Sequence, residues 1–176
     1  YGGHLSLDPE HIDRLNAGDL FEIPVPDEVM FVKSIICGMC CSYLIGNDSQ
    51  NQTVIYHSGM KKFSGSFVNG NQENFQFESN YNWTKVDIVP NGLTLDSMSM
   101  SPTIPTIFMT LKDINNDKFI YACCMDTDYY NHPVLSSIDV NMNFLEFKEI
   151  DWKKIYSDSM NLNKNETSQQ CVMNDT

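Results

Sequence analysis

The sequence predicts an α+β domain: a two-layer β-sandwich, mixed or antiparallel, with flanking helices. Three observations predict it. Short β-branched and aromatic segments follow one another along most of the chain, separated by clusters of Asn, Asp, Gly and Ser. A capped amphipathic stretch stands near the start. Apolar residues make up 41% of 176, enough to bury one core but too short a chain for two comfortable domains.

The helix is read over residues 8–16. Asp8 is a good N-cap, Pro9 fits the first helical position, and Gly18 lies just past the end. Ile12 and Leu15 give it one apolar side. Two prolines then keep Ile23-Pro24-Val25-Pro26 extended. Strand signals take over from Val29 to Ile36. Cys41 to Ile45 and Thr53 to Tyr56 flank Gly46-Asn47-Asp48-Ser49-Gln50-Asn51-Gln52, a run of turn formers, and together read as a hairpin. Further strands are expected at 63–68, 74–78, 84–89, 93–95, 104–111, 119–124 and 144–147, with Asn115-Asn116-Asp117 turning a second hairpin. Residues 138–140 carry no clear preference. A helical turn is expected at 151–157. Residues 1–157 form one domain in this reading, and the Asn- and Lys-rich residues 158–176 a flexible polar tail.

Charge narrows the function. The net charge is −12, from 23 acidic against 11 basic residues, and Arg14 is the sole arginine. No basic stripe exists to neutralise phosphates, so nucleic acid is excluded as a partner, and an anionic membrane surface is a poor one. No stretch approaches the roughly 18 apolar residues of a membrane helix. The chain opens on Tyr1-Gly2-Gly3-His4, without an initiator Met or an apolar signal region; a signal removed, or a domain cut from a longer protein, would both give this start.

The reactive side chains concentrate on the first hairpin. A cysteine nucleophile needs a base within hydrogen-bond reach. If Gly46 faces Thr53, Cys40 lies opposite Gly59 and two positions from His57, on one face of the sheet. Shifting the register by one puts Cys41 on that face instead. Gly38 could allow close backbone approach and a positive φ. The backbone N–H groups of Gly38, Met39 and Cys41 could then serve an oxyanion. Ser34, at the end of a strand, could orient the second imidazole nitrogen.

The pattern Ser34-x5-Cys40-x16-His57, with Gly38 two before the cysteine, resembles the bacterial glutamine deamidases of the CheD type. It is also similar to the related toxin domains of cytotoxic necrotizing factor and Burkholderia lethal factor. The resemblance covers about 25 residues of 176. Met39 stands where the toxin branch has Gly, Ser34 stands for Thr, and Cys41 follows as a second sulfur. The resemblance implies a Cys–His hydrolase with Cys40 as nucleophile, His57 as general base and acid, and Ser34 as orienter. In that family a Thr or a backbone carbonyl orients the histidine. It further implies no cofactor, a protein substrate carrying a target glutamine, and a toxin or effector that is secreted, with delivery into a host cytosol as the extension of that role.

Other readings stand beside it. N-glycosylation triplets at Asn51, Asn82, Asn165 and Asn174, with an even count of six cysteines, would suit a secreted β-sandwich binding module with disulfides. A cysteine protease is a third reading, though the short Cys–His separation argues against papain-like folds. Cys37-x2-Cys40 with Cys123 and Cys124 is half of a zinc pattern without the second half's usual spacing, so no metal is expected. Asp113 to Asp117 reads as a plain turn rather than a calcium loop.

Overall fold

A computed structural model describes residues 24–38, 41–68, 71–100, 106–123, 137–151 and 153–154. The described strands are β1 (Phe31–Cys37), β2 (Cys41–Asn47), β3 (Thr53–Val68), β4 (Asn71–Lys85), β5 (Thr94–Met100), β6 (Ile107–Lys112), β7 (Lys118–Cys123), β8 (Ser137–Asn143) and β9 (Lys148–Glu149). They form two antiparallel sheets. One has the order β1-β2-β3-β4, with β8 added to β3; the other has the order β5-β6-β7-β9.

This corrects the expected fold class. Among the described residues, strands account for 64% and helix is confined to Lys153–Lys154. The structure is two antiparallel sheets, neither a mixed sheet nor a sandwich with a helical layer. The reason is connection length. Antiparallel neighbours need only a turn between them, and a helix is required only where parallel strands are joined by a crossover. The helix expected at 8–16 lies outside the described residues, as does the tail from 158 onward.

The same turn closes two of the hairpins. Between β2 and β3, Asp48 Oδ1 accepts the N–H groups of Gln50 and Gln52, both at 2.9 Å. Between β6 and β7, Asp113 Oδ1 accepts those of Asn115 and Asp117, at 2.8 and 2.9 Å. Asn51 (φ 61°) and Asn116 (φ 66°) occupy the left-handed position that Asn tolerates best among residues with a side chain.

Several expected strands fuse. Residues 53–56 and 63–68 belong to one strand, β3, and residues 74–78 and the first two residues of the expected 84–89 strand to another, β4, which ends at Lys85 and leaves 86–89 outside any strand. Their pairing slips between His57 and Gly59, between Met60 and Lys62, and between Ser64 and Ser66. Such bulges let a long strand bend without ending it. Along one edge β3 pairs with β2 up to Gly59 and with β8 from Lys62. Residues 138–140, without preference in the sequence, lie in β8. Phe144–Phe147, read as a strand, is the connection from β8 to β9, where Asn143 Oδ1 caps the Leu145 N–H at 3.1 Å.

One apolar cluster joins the sheets: Cys41, Tyr43 and Ile55 from the first, Ile107 and Cys123 from the second, and Phe144 from the β8–β9 connection. A second cluster, Leu44, Val54 and Tyr56, lies on the opposite face of β2 and β3, with Val29, Val32 and Trp83 packed against it. Residues 41–46 of β2 are consequently buried on both faces.

Candidate thiol–imidazole site

The register of the first hairpin decides which side chains share a face. Asn47 pairs with Thr53, Tyr43 with His57, and Cys41 with Gly59. This is the register one residue removed from a Gly46–Thr53 pairing. It places Cys41 on the face of His57, one diagonal step away, with Tyr43 directly opposite the imidazole. Cys40 and Met39 lie outside the described residues. Their neighbours do not: Gly38 donates its N–H to the Cys41 carbonyl at 3.0 Å.

His57 is 0% exposed. Its Nε2 meets the Met60 carbonyl at 3.1 Å. A carbonyl only accepts, so Nε2 carries the proton and donates. Nδ1 is buried without a hydrogen-bond partner. Burial pushes the imidazole pKa down to about 4, with a smaller push from Lys61, against a smaller upward pull from the Met60 carbonyl. The ring is therefore neutral at pH 7, with a bare nitrogen lone pair at Nδ1. The Tyr43 ring meets it edge-on, centroids 5.1 Å apart at 70°.

Local backbone explains why a carbonyl three residues along the same strand reaches back to the ring. Gly59 has φ 101°, at the bulge where the pairing with β4 slips. A side chain is poorly tolerated there, and the glycine lets the chain turn Met60 onto the imidazole.

Other residues sit apart. Ser34 is exposed and pairs with Ile45, whereas Ile36 stands in the row of Tyr43 and His57. Two strand spacings and a two-residue offset put Ser34 about 10 Å or more from the imidazole, beyond hydrogen-bond reach. The orienting bond to His57 is made instead by the Met60 carbonyl. Gly38 does not have positive φ. A Cβ there would stand 1.6 Å from Met100 Sδ, so the glycine serves the approach of β5. Its N–H, already given to the Cys41 carbonyl, is engaged within the hairpin.

Sequence reasoning missed the Met60 carbonyl, which no side-chain pattern can reveal. The available signal was Gly59 two residues after the histidine, a glycine inside a strand pattern and hence a mark of a bulge. It also missed Tyr43.

Cys37, Cys41 and Cys123 are thiols; Cys37 is exposed and the other two are buried. The Cys123 thiol donates to the Phe144 carbonyl at 3.8 Å. Among the described residues no group of three or more His, Cys, Asp or Glu side chains could hold a metal ion, and no helix is long and apolar enough to cross a membrane. No family model matches the chain, and no curated protein or solved structure does.

Proposed function

We propose that the chain is a cysteine-dependent protein glutamine deamidase of the kind its residues 34–57 resemble, with His57 as base. One observation carries the reading. The imidazole is held through Nε2 by a backbone carbonyl, while Nδ1 is buried, unprotonated and without a partner, on the sheet face that Cys41 shares; in the sequence Cys40 directly precedes Cys41. A buried polar atom without a hydrogen bond is disfavoured by about 1–3 kcal/mol unless something uses it.

In the proposed reaction Nδ1 takes the thiol proton and the thiolate attacks the carbon of a glutamine side-chain amide. The tetrahedral intermediate collapses as His57 returns the proton to the leaving nitrogen, releasing ammonia. Water, deprotonated by His57, then hydrolyses the thioester to glutamate and restores the thiol. No cofactor enters. Met60 replaces Ser34 as orienter. The proposed nucleophile is Cys40.

Cys41 is a second reading for the nucleophile, favoured by the register that puts it on the imidazole's face. Cys41 is 2% exposed within the core cluster. Because His57 is itself 0% exposed, either reading requires the hairpin end to open onto the substrate.

The test is isotopic. A cell extract is incubated with the protein in heavy-oxygen water, and peptides are searched for glutamine converted to glutamate carrying one solvent-derived oxygen. Conversion by the wild type that is lost in both Cys40→Ser and His57→Gln, but kept in Cys41→Ser, supports the proposal. Loss in Cys41→Ser alone moves the nucleophile to Cys41. Conversion by none of the proteins overturns the deamidase reading, and chain cleavage in its place would make the protein a protease.

A further inference from the structure

Hydrogen bonds, one peptide unit and a ring contact form a closed circuit around His57. His57 Nε2–H donates to the Met60 carbonyl at 3.1 Å. The next carbonyl, that of Lys61, accepts the Phe144 N–H at 2.9 Å. The Phe144 carbonyl accepts the Tyr43 hydroxyl, and the Tyr43 ring returns to the imidazole edge-on. Three links are hydrogen bonds, the step from Met60 to Lys61 is one peptide unit, and the last link is the ring contact; both Tyr43 and His57 are 0% exposed.

A neutral buried imidazole has two tautomers and two ring orientations, which present different atoms to the same neighbours. The Met60 carbonyl selects against a ring that offers it a lone pair. It cannot alone stop the ring from rocking about its bond to Cβ. An aromatic edge directly opposite in the strand pair can, provided that the aromatic ring is itself fixed at its far end. Tyr43 meets that condition because its hydroxyl is tied to the Phe144 carbonyl, on a connection that the Lys61 carbonyl anchors in turn.

We infer that Tyr43 is a positioning residue of the site: bridging the His57 ring and the Phe144 carbonyl, it holds the imidazole in the Nε2–H form with Nδ1 left as proton acceptor. As a catalytic statement this rests on the reading proposed above; as a statement about the ring it stands on the geometry alone. It also couples the site to the second sheet, since the Cys123 thiol donates to the same Phe144 carbonyl.

The experiment uses the full chain with labelled histidine and reads the tautomer of His57 from long-range proton–nitrogen correlations. Tyr43→Phe deletes the hydroxyl and keeps the ring; Tyr43→Leu deletes both. The wild type is expected to show the Nε2–H form alone. The second tautomer should appear as a minor form in Tyr43→Phe and reach a comparable population in Tyr43→Leu, with the His57 titration midpoint moving up toward the ordinary range. A side chain that only fills space would lower stability in these variants and leave the tautomer unchanged. An unchanged single tautomer in both variants overturns the inference. If Tyr43→Leu does not fold, Tyr43→Phe decides alone. A wild type that converts no glutamine overturns the enzyme reading instead, a separate result from a separate measurement.

Discussion

The hairpins β2–β3 and β6–β7 are turned by the same device, an Asp whose carboxylate gathers two backbone N–H groups and an Asn in the left-handed position. They differ in what covers them. In β6 burial alternates, with Ile107, Met109 and Leu111 inward and Phe108 at 39% exposure. In β2 residues 41–46 are buried on both faces, and the partner strand brings His57 and Ser58 into that interior. A hairpin sealed on both sides can hold a neutral imidazole away from water and lower its affinity for a proton. A hairpin open on one side would leave the same residue solvated. The turn sets the geometry, and the covering sets the chemistry.

Substitution should expose this difference most strongly. Leu44→Ala in the doubly covered strand is expected to lose about 2–5 kcal/mol of unfolding free energy, whereas Phe108→Ala in the alternating strand loses about 1 kcal/mol or less. Urea unfolding of both variants is the measurement, and equal losses would remove the contrast.

Acid comes next. The His57 pKa is lowered from 6.5 to about 4, so the unfolded chain takes up a proton that the folded chain resists. The stability contributed by the neutral ring is fully present above pH 6.5 and is lost as the pH falls toward 4, by about 3 kcal/mol. Glu28, held low by hydrogen bonds from Lys85 and Tyr56, and Asp96, held low by Lys118 and Lys112, add acid sensitivity of their own. His57→Gln isolates the ring's share: its unfolding free energy should fall less steeply between pH 6.5 and 4 than that of the wild type.

Gly59→Ala is expected to destabilise by about 1–3 kcal/mol, because an L side chain at φ 101° is strained. It should also disturb the His57–Met60 bond, visible as a shift of the His57 nitrogen resonances. At Gly92 (φ 82°), in a turn with nothing within 4 Å of an added Cβ, the same change should alter stability without touching those resonances.

The smallest effect tests the shared device. Asp48→Ala and Asp113→Ala should each lose about 1–2 kcal/mol, and by similar amounts, since each removes an acceptor from two backbone N–H groups. Thermal unfolding of the pair checks it; a large inequality would show that the covering, and not the turn, dominates there too.

Both turns were legible in the sequence because Asn and Asp act locally, through their own backbone. Most strands were legible from β-branched and aromatic residues. The register was not. It is normally read from alternating burial, and β2 has apolar or small residues on both faces, so nothing in Cys41 to Gly46 distinguishes one pairing from the next. Phe144–Phe147 was misread because an apolar run records burial, and here the burial belongs to a connection that plugs the core. Strands 53–56 and 63–68 looked separate because Lys61-Lys62 breaks the apolar pattern, a break the bulge between Met60 and Lys62 absorbs. At the site, the sequence marked Cys41 and His57 as candidates to share one sheet face under one of two registers, and the structure has that register; Cys40 lies outside the described residues. Ser34 was a plausible hydroxyl at the right spacing but stands in the wrong row. The Met60 carbonyl is foreshadowed only by Gly59 at the bulge, and the Tyr43–Phe144 link depends on the fold and leaves no trace in residue types.

The most direct measurement is the alkylation rate of each cysteine against pH, resolved by peptide mapping, in the wild type and in His57→Gln. Exposed Cys37 serves as the internal reference. Cys40 is expected to outpace Cys37 near neutral pH, and His57→Gln to slow it by roughly tenfold or more while leaving Cys37 unchanged. Cys37 reacting fastest, with no rate altered by the loss of the imidazole, would contradict the proposal that His57 activates a thiol.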